Sequence, residues 1–324
     1  MSDTPLDVVT WGETMVRLSP PAGFSLEDAH SLEVWIGGTE SNMAIALARL
    51  GKRVGWVSRL PANALGRKIC GEVARHGVDT SRVIWAEGER AGLNFIETAT
   101  EPRPNLVLYD RADSAVSRLS PTELDYDYLA SAGVLHLTGI TPALSPACRE
   151  AWLASAQKAK AAGRRVSLDI NYRAKLWSPQ EARQALEAVF PHVDLVLGAL
   201  RDVRLLFGVE GEPAAVAEQF AGARGLPLVV LTLEAEGAIA WDGAEARQEP
   251  AYPTGVVDRI GAGDAFAAGF LFGWLERDVA HGLRCGNALA ALQQTYRGDV
   301  SWARREDLLE LVESGGGGPR RVNR

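Results

Sequence analysis

The segment at residues 258–270, DRIGAGDAFAAGF, constrains the fold of this chain more than any other. Its glycine turn at residues 261–264 leads into an apolar run that has almost no polar face before Glu276. A helix that is apolar on all sides is stable only when other elements surround it. The segment therefore predicts a core helix that begins near Asp264, inside a protein large enough to bury it.

The same turn predicts an anion site. The first N–H groups of a helix have no partner within the helix, and the helix dipole adds partial positive charge at that end. Gly261, Ala262 and Gly263 would present such groups to a phosphate-like ligand. Asp264 lies at the mouth of this site, where a carboxylate is either a helix cap or a base beside a phosphate, and the turn alone favours the cap.

Composition restricts the class of protein. The 324 residues have a formal net charge of −7 and no dense block of Lys and Arg before the C-terminal tail, so we expect no nucleic-acid partner. Cys70, Cys148 and Cys285 are scattered, which indicates a reducing compartment without disulfides. Because we find neither a secretory signal nor an apolar run of the roughly 20 residues that span a membrane, we expect a cytoplasmic protein with no membrane partner.

Short apolar runs alternate with helical patterns along the chain. Strands are predicted at residues 6–10, 54–58, 135–137, 165–170, 193–197, 228–231 and 238–241, and helices at 43–50, 64–76, 146–162, 179–190, 212–223, 264–276, 280–297 and 305–313. This alternation is typical of a parallel sheet that is covered on both faces, with ligands at the carboxyl ends of the strands. Two short runs within 91–111 indicate a pair of strands outside that sheet.

A second glycine turn, GGTESN at residues 37–42, opens another predicted helix near the other end of the chain. The motifs GGTESNMAIALARLG (37–51) and DRIGAGDAFAAGF (258–270) together resemble the ribokinase-like (PfkB-type) carbohydrate kinases, and the resemblance covers about residues 6–313. YDRADSAVSRLSPTELD (109–125), HLTGITPALSP (136–146) and SLDINYRAKLW (167–177) are most similar to the 2-keto-3-deoxygluconate kinases of that family.

The resemblance implies the fold. We expect an α/β ribokinase-like protein with three α/β/α layers, a mostly parallel central sheet and a small β lid. The kinase domain would cover residues 1–313, with lid strands near 12–18 and 91–111, and residues 314–324 would form a flexible tail. Because lids of this kind often pair between subunits, the resemblance also implies a homo-oligomer formed through the lid.

The resemblance also implies the reaction, which is ATP- and Mg²⁺-dependent phosphorylation of 2-keto-3-deoxygluconate to 2-keto-3-deoxy-6-phosphogluconate. Asp264 would be the catalytic base, and Gly261, Ala262 and Gly263 would form the anion hole. An exposed Asp has a pKa of about 3.9, so we expect placement rather than basicity to make Asp264 effective.

The sugar acid would contact residues from both halves of the chain. Besides Asp264, the resemblance assigns to it Gly37, Gly38, Asn42, Asn94, Tyr109, Arg111, Asn171 and Arg173. The two arginines suit a carboxylate, which a neutral sugar lacks. Asn94 departs from the family, because relatives commonly carry an aromatic residue at this position.

The nucleotide would bind to residues from the C-terminal half of the chain. The residues assigned to ATP are Asp202, Thr232, Leu233, Gly237, Gly261, Gly263 and Asn287. Two departures concern this region. Residues 199–202 read ALRD where many relatives have Asn-x-x-Glu, so we expect no direct metal ligand and only a water-mediated role for Asp202. Glu234 replaces a usual glycine, and its charge would repel a triphosphate unless a cation screens it.

Several alternatives stay open at this point. The acceptor could instead be fructose, ribose or 5-dehydro-2-deoxygluconate, and a panel of acids and neutral sugars would distinguish them. The departures at Ala199, Asp202 and Glu234 also allow a non-catalytic sugar-binding homologue. A nicotinamide oxidoreductase is disfavoured because no GxGxxG follows the first predicted strand.

Overall fold

The computed structural model describes residues 5–99 and 102–315. Most of the tail predicted at 314–324 lies outside the described residues, and Ser314 itself ends the last helix. Within the described ranges, no helix is long and apolar enough to cross a membrane.

The main sheet has eight strands in the described part of the chain. In spatial order they are β14 (Ala246–Glu249), β13 (Ala238–Trp241), β12 (Leu228–Thr232), β11 (Leu195–Ala199), β10 (Arg165–Asp169), β9 (Val134–Thr138), β1 (Val8–Trp11) and β4 (Val54–Val57). The six strands from β12 to β4 are parallel, and β13 and β14 form an antiparallel edge. The sheet is therefore mostly parallel, as predicted.

Helices cover both faces of this sheet. Successive residues of a strand point to opposite faces, and those of the buried strands pack with helices into two separate cores. One face carries α1 (Thr39–Arg49), α2 (Ala64–Ala74), α8 (Ala262–Glu276), α9 (Val279–Gln293) and α10 (Arg305–Ser314). The other carries α3 (Tyr126–Leu129), α4 (Pro146–Ala161), α5 (Pro179–Val189), α6 (Leu200–Phe207) and α7 (Pro213–Gly222). These three layers confirm the predicted fold class.

A second sheet of four strands stands apart from the main one. Its order is β3 (Glu33–Gly37), β2 (Met15–Ser19), β7 (Leu93–Glu97) and β8 (Leu106–Asp110), so the runs near 12–18 and within 91–111 share one small sheet, which β3 joins. Its register places Arg17, Asn94 and Tyr109 side by side on one face. A separate pair consists of β5 (Arg59–Pro61) and β6 (Ile84–Ala86).

The predicted core helix is α8, which begins at Ala262 and is buried from Asp264 to Gly273. It packs against α9 with almost no space between the two backbones, since a Cβ atom at Gly269 would lie 2.5 Å from the Cys285 carbonyl oxygen. Helix α9 ends at Gln293, before the predicted 297, because hydrogen bonds from Thr295 and Tyr296 to the third preceding residue tighten its end. Helix α6 was not predicted.

Candidate active site

The two glycine turns meet in space, at the N-termini of α1 and α8. Nδ2 of Asn42 donates a hydrogen bond of 2.7 Å to Oδ2 of Asp264, across 222 residues of sequence. Oδ1 of Asn42 accepts from the backbone N–H of Gly38 at 3.4 Å. One side chain of α1 thus links the turn predicted for the sugar to the carboxylate predicted as base.

A cavity of about 420 Å³ opens at this meeting point. The predicted site residues that line it are Gly37, Gly38, Asn42, Asn94, Tyr109, Arg111, Asn171, Arg173, Asp202, Thr232, Gly261, Gly263 and Asp264. Ala262 is the first residue of α8, between two of them. The fold therefore brings almost all of the predicted residues to one place.

Asp264 is only 9 % exposed. Burial raises its pKa from 3.8 to about 7, and the hydrogen bond from Asn42 and the charge of Arg173 act in the opposite direction. The expectation of an exposed carboxylate with an ordinary pKa is therefore wrong. A carboxyl group that titrates near neutral pH is suited to accept a proton as a general base.

The turn before α8 requires glycine. Gly261 caps the helix with φ 77°, in the left-handed region that favours glycine. A Cβ atom there would also lie 2.2 Å from the carbonyl oxygen of Asp299. No side chain caps the helix, and Gly261 and Gly263 line the cavity. The N–H of Ala262 donates to the carbonyl oxygen of Arg259 at 3.4 Å. This helix end therefore has no side-chain oxygen that would compete with an anion.

Arg111 already has a carboxylate partner. Its Nε donates to Oε2 of Glu13 at 2.7 Å, its Nη2 contacts the same oxygen, and Ser114 donates to Oε1. Glu13 is buried, and it lines the cavity. The charge of Arg111 is therefore largely offset before any ligand binds. Its guanidinium lies 5.7 Å from the ring centroid of Tyr109, which is on β8.

Arg173 differs, because it is exposed and has no ion-pair partner among the residues that the structure describes. Its charge lowers the pKa values of Asp169, Asp202 and Asp264 against the larger effect of burial. Nearby Asn171 has φ 39°, a conformation that Asn adopts more readily than most residues. Its Nδ2 donates to Asp169 at 3.1 Å.

Sequence reasoning missed Glu40, a fully buried carboxyl group that lines the cavity. Its Oε1 accepts hydrogen bonds of 2.6 and 2.7 Å from Thr138 and Thr141, while Oε2 is buried without a partner among the described residues. Burial raises the pKa of Glu40. The sequence signal that could have identified Glu40 was its position as a charged residue just before the apolar run of α1. Glu13, Arg17 and Asp299 were missed as well.

A second cavity of about 390 Å³ adjoins the first on the side of β12 and α6. Ala199, Arg201 and Thr232 line both cavities, and Leu233 lines the second. Arg201 Nη1 lies 3.0 Å from Oε1 of Glu234, so an arginine screens the carboxylate that departs from the family. Because the two cavities share these lining residues, together they suit an extended ligand such as a nucleoside triphosphate.

Gly237 and Asn287 line neither of these cavities. Gly237 has φ 99°, and a Cβ atom there would lie 2.1 Å from the Glu249 carbonyl oxygen. Asn287 donates to the carbonyl oxygens of Glu249 and Pro250 at 2.9 and 3.1 Å. Both residues fix the end of β14, and their predicted contacts with ATP stay predictions.

The acidic residues near the nucleotide side fit a magnesium ion. Asp169 and Asp202 line the same cavity, and the pKa of Asp169 rises to about 6 through burial, with a contribution from the charge of Asp202. No group of three or more potential ligands occurs among the described residues. Mg²⁺ commonly binds through one or two carboxylates, waters and substrate phosphates, so Asp169 and Asp202 would suit such an ion together with water and the phosphates of ATP.

The sequence matches the family described as pfkB family carbohydrate kinase over residues 5–304. The chain belongs to the pfkB family. This confirms the resemblance that the two glycine turns carry, and it makes the chain a carbohydrate kinase.

Similar pfkB proteins are sugar-acid kinases. The chain is 41% identical to a 2-dehydro-3-deoxygalactonokinase of Haloferax volcanii, over 96% of this chain and 98% of the relative. It is 34% identical to a 2-dehydro-3-deoxygluconokinase of Bacillus subtilis, over 91% of each chain. The solved 2-dehydro-3-deoxygluconokinase of Thermotoga maritima has a TM-score of 0.90 at 30% identity, over 96% of this chain and 99% of that one. Since 2-dehydro is a synonym of 2-keto, the predicted subgroup is confirmed.

Proposed function

We propose that the chain transfers the γ-phosphoryl group of ATP to the 6-hydroxyl of 2-keto-3-deoxygluconate. The observation that carries this proposal is the bond between Asn42 and Asp264, which joins the sugar turn to a carboxylate at the start of α8. Relatives named for 2-dehydro-3-deoxygluconate and its galacto epimer support the choice of substrate.

In the proposed reaction, the 6-hydroxyl oxygen attacks the γ-phosphorus and its proton passes to Asp264. The new oxygen–phosphorus bond forms as the bond to ADP breaks, and ADP leaves with that electron pair. The N–H groups of Gly261, Ala262 and Gly263 would stabilise the charge on the transferred group. Mg²⁺, when bound near Asp169 and Asp202, would neutralise phosphate charge.

The acid would lie between α1 and the small sheet. Gly37, Gly38 and Asn42 would contact its hydroxyl groups. Oδ1 of Asn94 is buried without a partner among the described residues, as is Oδ1 of Asn171, and both line the cavity. Such acceptors favour a ligand with several hydroxyl donors, because an unpaired buried acceptor is costly.

The carboxylate of the acid would meet the arginines. Arg173 is the better candidate, since Arg111 is already paired with Glu13. We keep Tyr109 and Arg111 in the substrate site because both line the cavity. A neutral sugar would gain nothing from Arg173, so the acid should be the preferred acceptor.

ATP would extend from the anion hole into the second cavity, along Thr232 and Leu233. Arg201 would then be close enough to leave Glu234 and contact phosphate oxygens. Asp202 would contact the magnesium ion through water. Gly237 and Asn287 would support this end of the site through β14 rather than by lining it.

The test is a coupled ADP-release assay with a panel of acceptors: 2-keto-3-deoxygluconate, its galacto epimer, 5-dehydro-2-deoxygluconate, fructose and ribose. We expect the 3-deoxy acids to be the best acceptors. Asp264→Ala should lose about two to four orders of magnitude in kcat, the usual contribution of a general base, with the melting temperature measured as a control for folding.

Three results would overturn the proposal. Equal kcat/KM values for the acids and neutral sugars would remove the role of the arginines. No ADP release with any acceptor would favour the non-catalytic sugar-binding alternative, which the Ala199 and Asp202 departures motivated. Preference for 5-dehydro-2-deoxygluconate would favour a kinase for that acid as the function. A kinase named for that acid is 33% identical to this chain, over 88% of this chain.

We also propose a homo-oligomer formed through the small sheet. Its outer face carries Val34, Leu18, Phe95 and Leu108 in one row of the register, and the two outermost are 47 % and 49 % exposed. Apolar edge strands of this kind are commonly covered by a partner. A strictly monomeric mass by light scattering would contradict this assembly, and Leu108→Glu should dissociate it.

A cytoplasmic location remains a prediction. It rests on Cys70, Cys148 and Cys285, which are all free in the structure, as a reducing compartment would keep them. Fractionation of cells that express the full chain would test it.

A further inference from the structure

An arginine buried between the small sheet and the start of α8 has no role in the reaction described so far. Arg17 lies on β2 and is 3 % exposed. Its Nη1 is 2.6 Å from Oδ2 of Asp299, its Nη2 is 3.5 Å from Oδ2 of Asp258, and its Nε donates to Ser19 Oγ at 3.0 Å. A buried charge of this kind is retained only with close partners.

Asp299 touches both glycine turns. A Cβ atom at Gly37, in the sugar turn, would lie 2.4 Å from Oδ1 of Asp299. A Cβ atom at Gly261, in the anion turn, would lie 2.2 Å from the carbonyl oxygen of the same residue. Asp299 therefore fills the space between the two turns, and Arg17 holds its side chain from the opposite side.

Asp258 holds the same region together from the segment just before the anion turn. Its Oδ1 accepts from the N–H of Ile260 at 3.0 Å, and its Oδ2 accepts from the N–H of Gly298 at 3.2 Å. The loop that carries Asp299 is thus tied to the residues just before Gly261. Arg17 contacts both carboxylates, so it joins β2 to the anion turn and to this loop.

We propose that Arg17 and Asp299 are positioning residues that fix the distance between the sugar turn and the anion turn. This inference rests on the proposed function. Arg17 would act through Asp299 and Asp258, without contact with either substrate. Because phosphoryl transfer depends on alignment of the attacking oxygen with the phosphorus, a change in this distance should reduce kcat more than it weakens binding.

The charges of Arg17 and Asp299 also bear on the pKa of Asp264, the proposed base. The groups that affect Asp264 are Asn42 from α1, Arg173 and Asp169 from the loop and strand of β10, and Asp299. The charge of Asp299 raises the pKa of Asp264, and Arg17 offsets that charge. Removing the charge of Asp299 should therefore move the titration of the base to lower pH. Arg17 also keeps this buried carboxylate ionised, so the loss of Arg17 has two opposing effects on the base, and the direction of the pH shift is tested with Asp299.

The experiment compares Arg17→Met and Arg17→Lys with Lys52→Met in the ADP-release assay. Lys52 pairs with Glu276 beyond the far ends of α1 and α8, so its loss affects stability at a distance from the site. We expect Arg17→Met to lower kcat at least tenfold and to change the KM for ATP less than threefold. We expect Asp299→Asn to shift the acidic limb of the pH profile downward, because the charge of Asp299 raises the pKa of Asp264. Arg17→Lys should restore part of kcat, and Lys52→Met should change neither kcat nor the limb.

Equal effects of Arg17→Met and Lys52→Met on kcat, or an acidic limb that Asp299→Asn leaves unmoved, would overturn the inference and leave Arg17 a structural residue. If Arg17→Met does not fold, Asp299→Asn provides the decisive result, because it preserves the side-chain shape and should shift the limb downward. An active wild type with unchanged variants refutes only this inference, whereas an inactive wild type refutes the proposed function and this inference with it.

Discussion

The bond between Asn42 and Asp264 offers the sharpest test of the site. Removing the amide by Asn42→Ala deletes a hydrogen bond of 2.7 Å to a buried carboxylate. A hydrogen bond to a charged group contributes about 1.5–3 kcal/mol, and one pKa unit corresponds to about 1.4 kcal/mol. The pKa of Asp264, which is about 7 with the bond in place, should therefore rise by roughly one to two units.

The assay is the pH dependence of kcat/KM on the acidic side of the profile, where the free enzyme's base titrates. Titration of ATP affects wild type and variant alike, so the difference between them reports on the protein. Asp169→Asn serves as the opposite control, because the charge of Asp169 raises the pKa of Asp264. Its acidic limb should move to lower pH.

The contradicting result is an Asn42→Ala variant with a lower kcat/KM at every pH and an acidic limb at the same pH as in the wild type. In that case Asp264 would not be the titrating base, and Asn42 would serve only to hold the sugar. A downward shift would be equally incompatible, because it would mean that the amide destabilises the carboxylate.

Three further predictions follow from the same geometry. Asp264→Asn should raise the melting temperature above pH 7 by removing a buried charge. Because its folded pKa of about 7 exceeds the unfolded value of 3.8, the carboxyl group's contribution to stability is complete below the unfolded pKa and is lost as pH rises through the folded pKa, at most about 4 kcal/mol. Asn94→Leu should raise the KM for the acid about tenfold, the cost of one hydrogen bond, and change the preference between the two epimers. Arg173→Met should weaken acid binding more than Arg111→Met, since Glu13 already pairs with Arg111.

Each of these has an opposing result. A pH-independent difference in melting temperature would mean that Asp264 does not carry a raised pKa. An unchanged epimer ratio would remove Asn94 from substrate recognition. A larger effect of Arg111→Met would show that the ligand displaces Glu13 and that Arg111 is the principal contact for the carboxylate.

The glycine turns could be found from the sequence because their signals are local. Each is a short run of small residues followed at once by an apolar helix, and the properties of a helix N-terminus depend only on the adjoining backbone. Most strands of the main sheet were found for the same reason. Helix α6 was not predicted, since its eight residues LRDVRLLF are too few for a clear periodic signal.

The partners of the charged residues could not be found in this way. Arg111 was expected to be available for the substrate, but it is paired with Glu13, a contact across 98 residues. Arg17 and Asp299 are 282 residues apart, and neither lies in a motif. A charged residue in the apolar strand MVRLS was the only local sign that a buried partner existed.

The sequence by itself determined that the chain would form a mostly parallel α/β protein with two glycine turns that open helices, because hydrophobic periodicity and glycine turns act over a few neighbouring residues. Only the tertiary structure decided the pKa of Asp264, the pairing of Arg111, and the contact of Asp299 with both turns. Burial and charge pairing depend on which distant segments the fold brings together, and that information is spread over the whole chain.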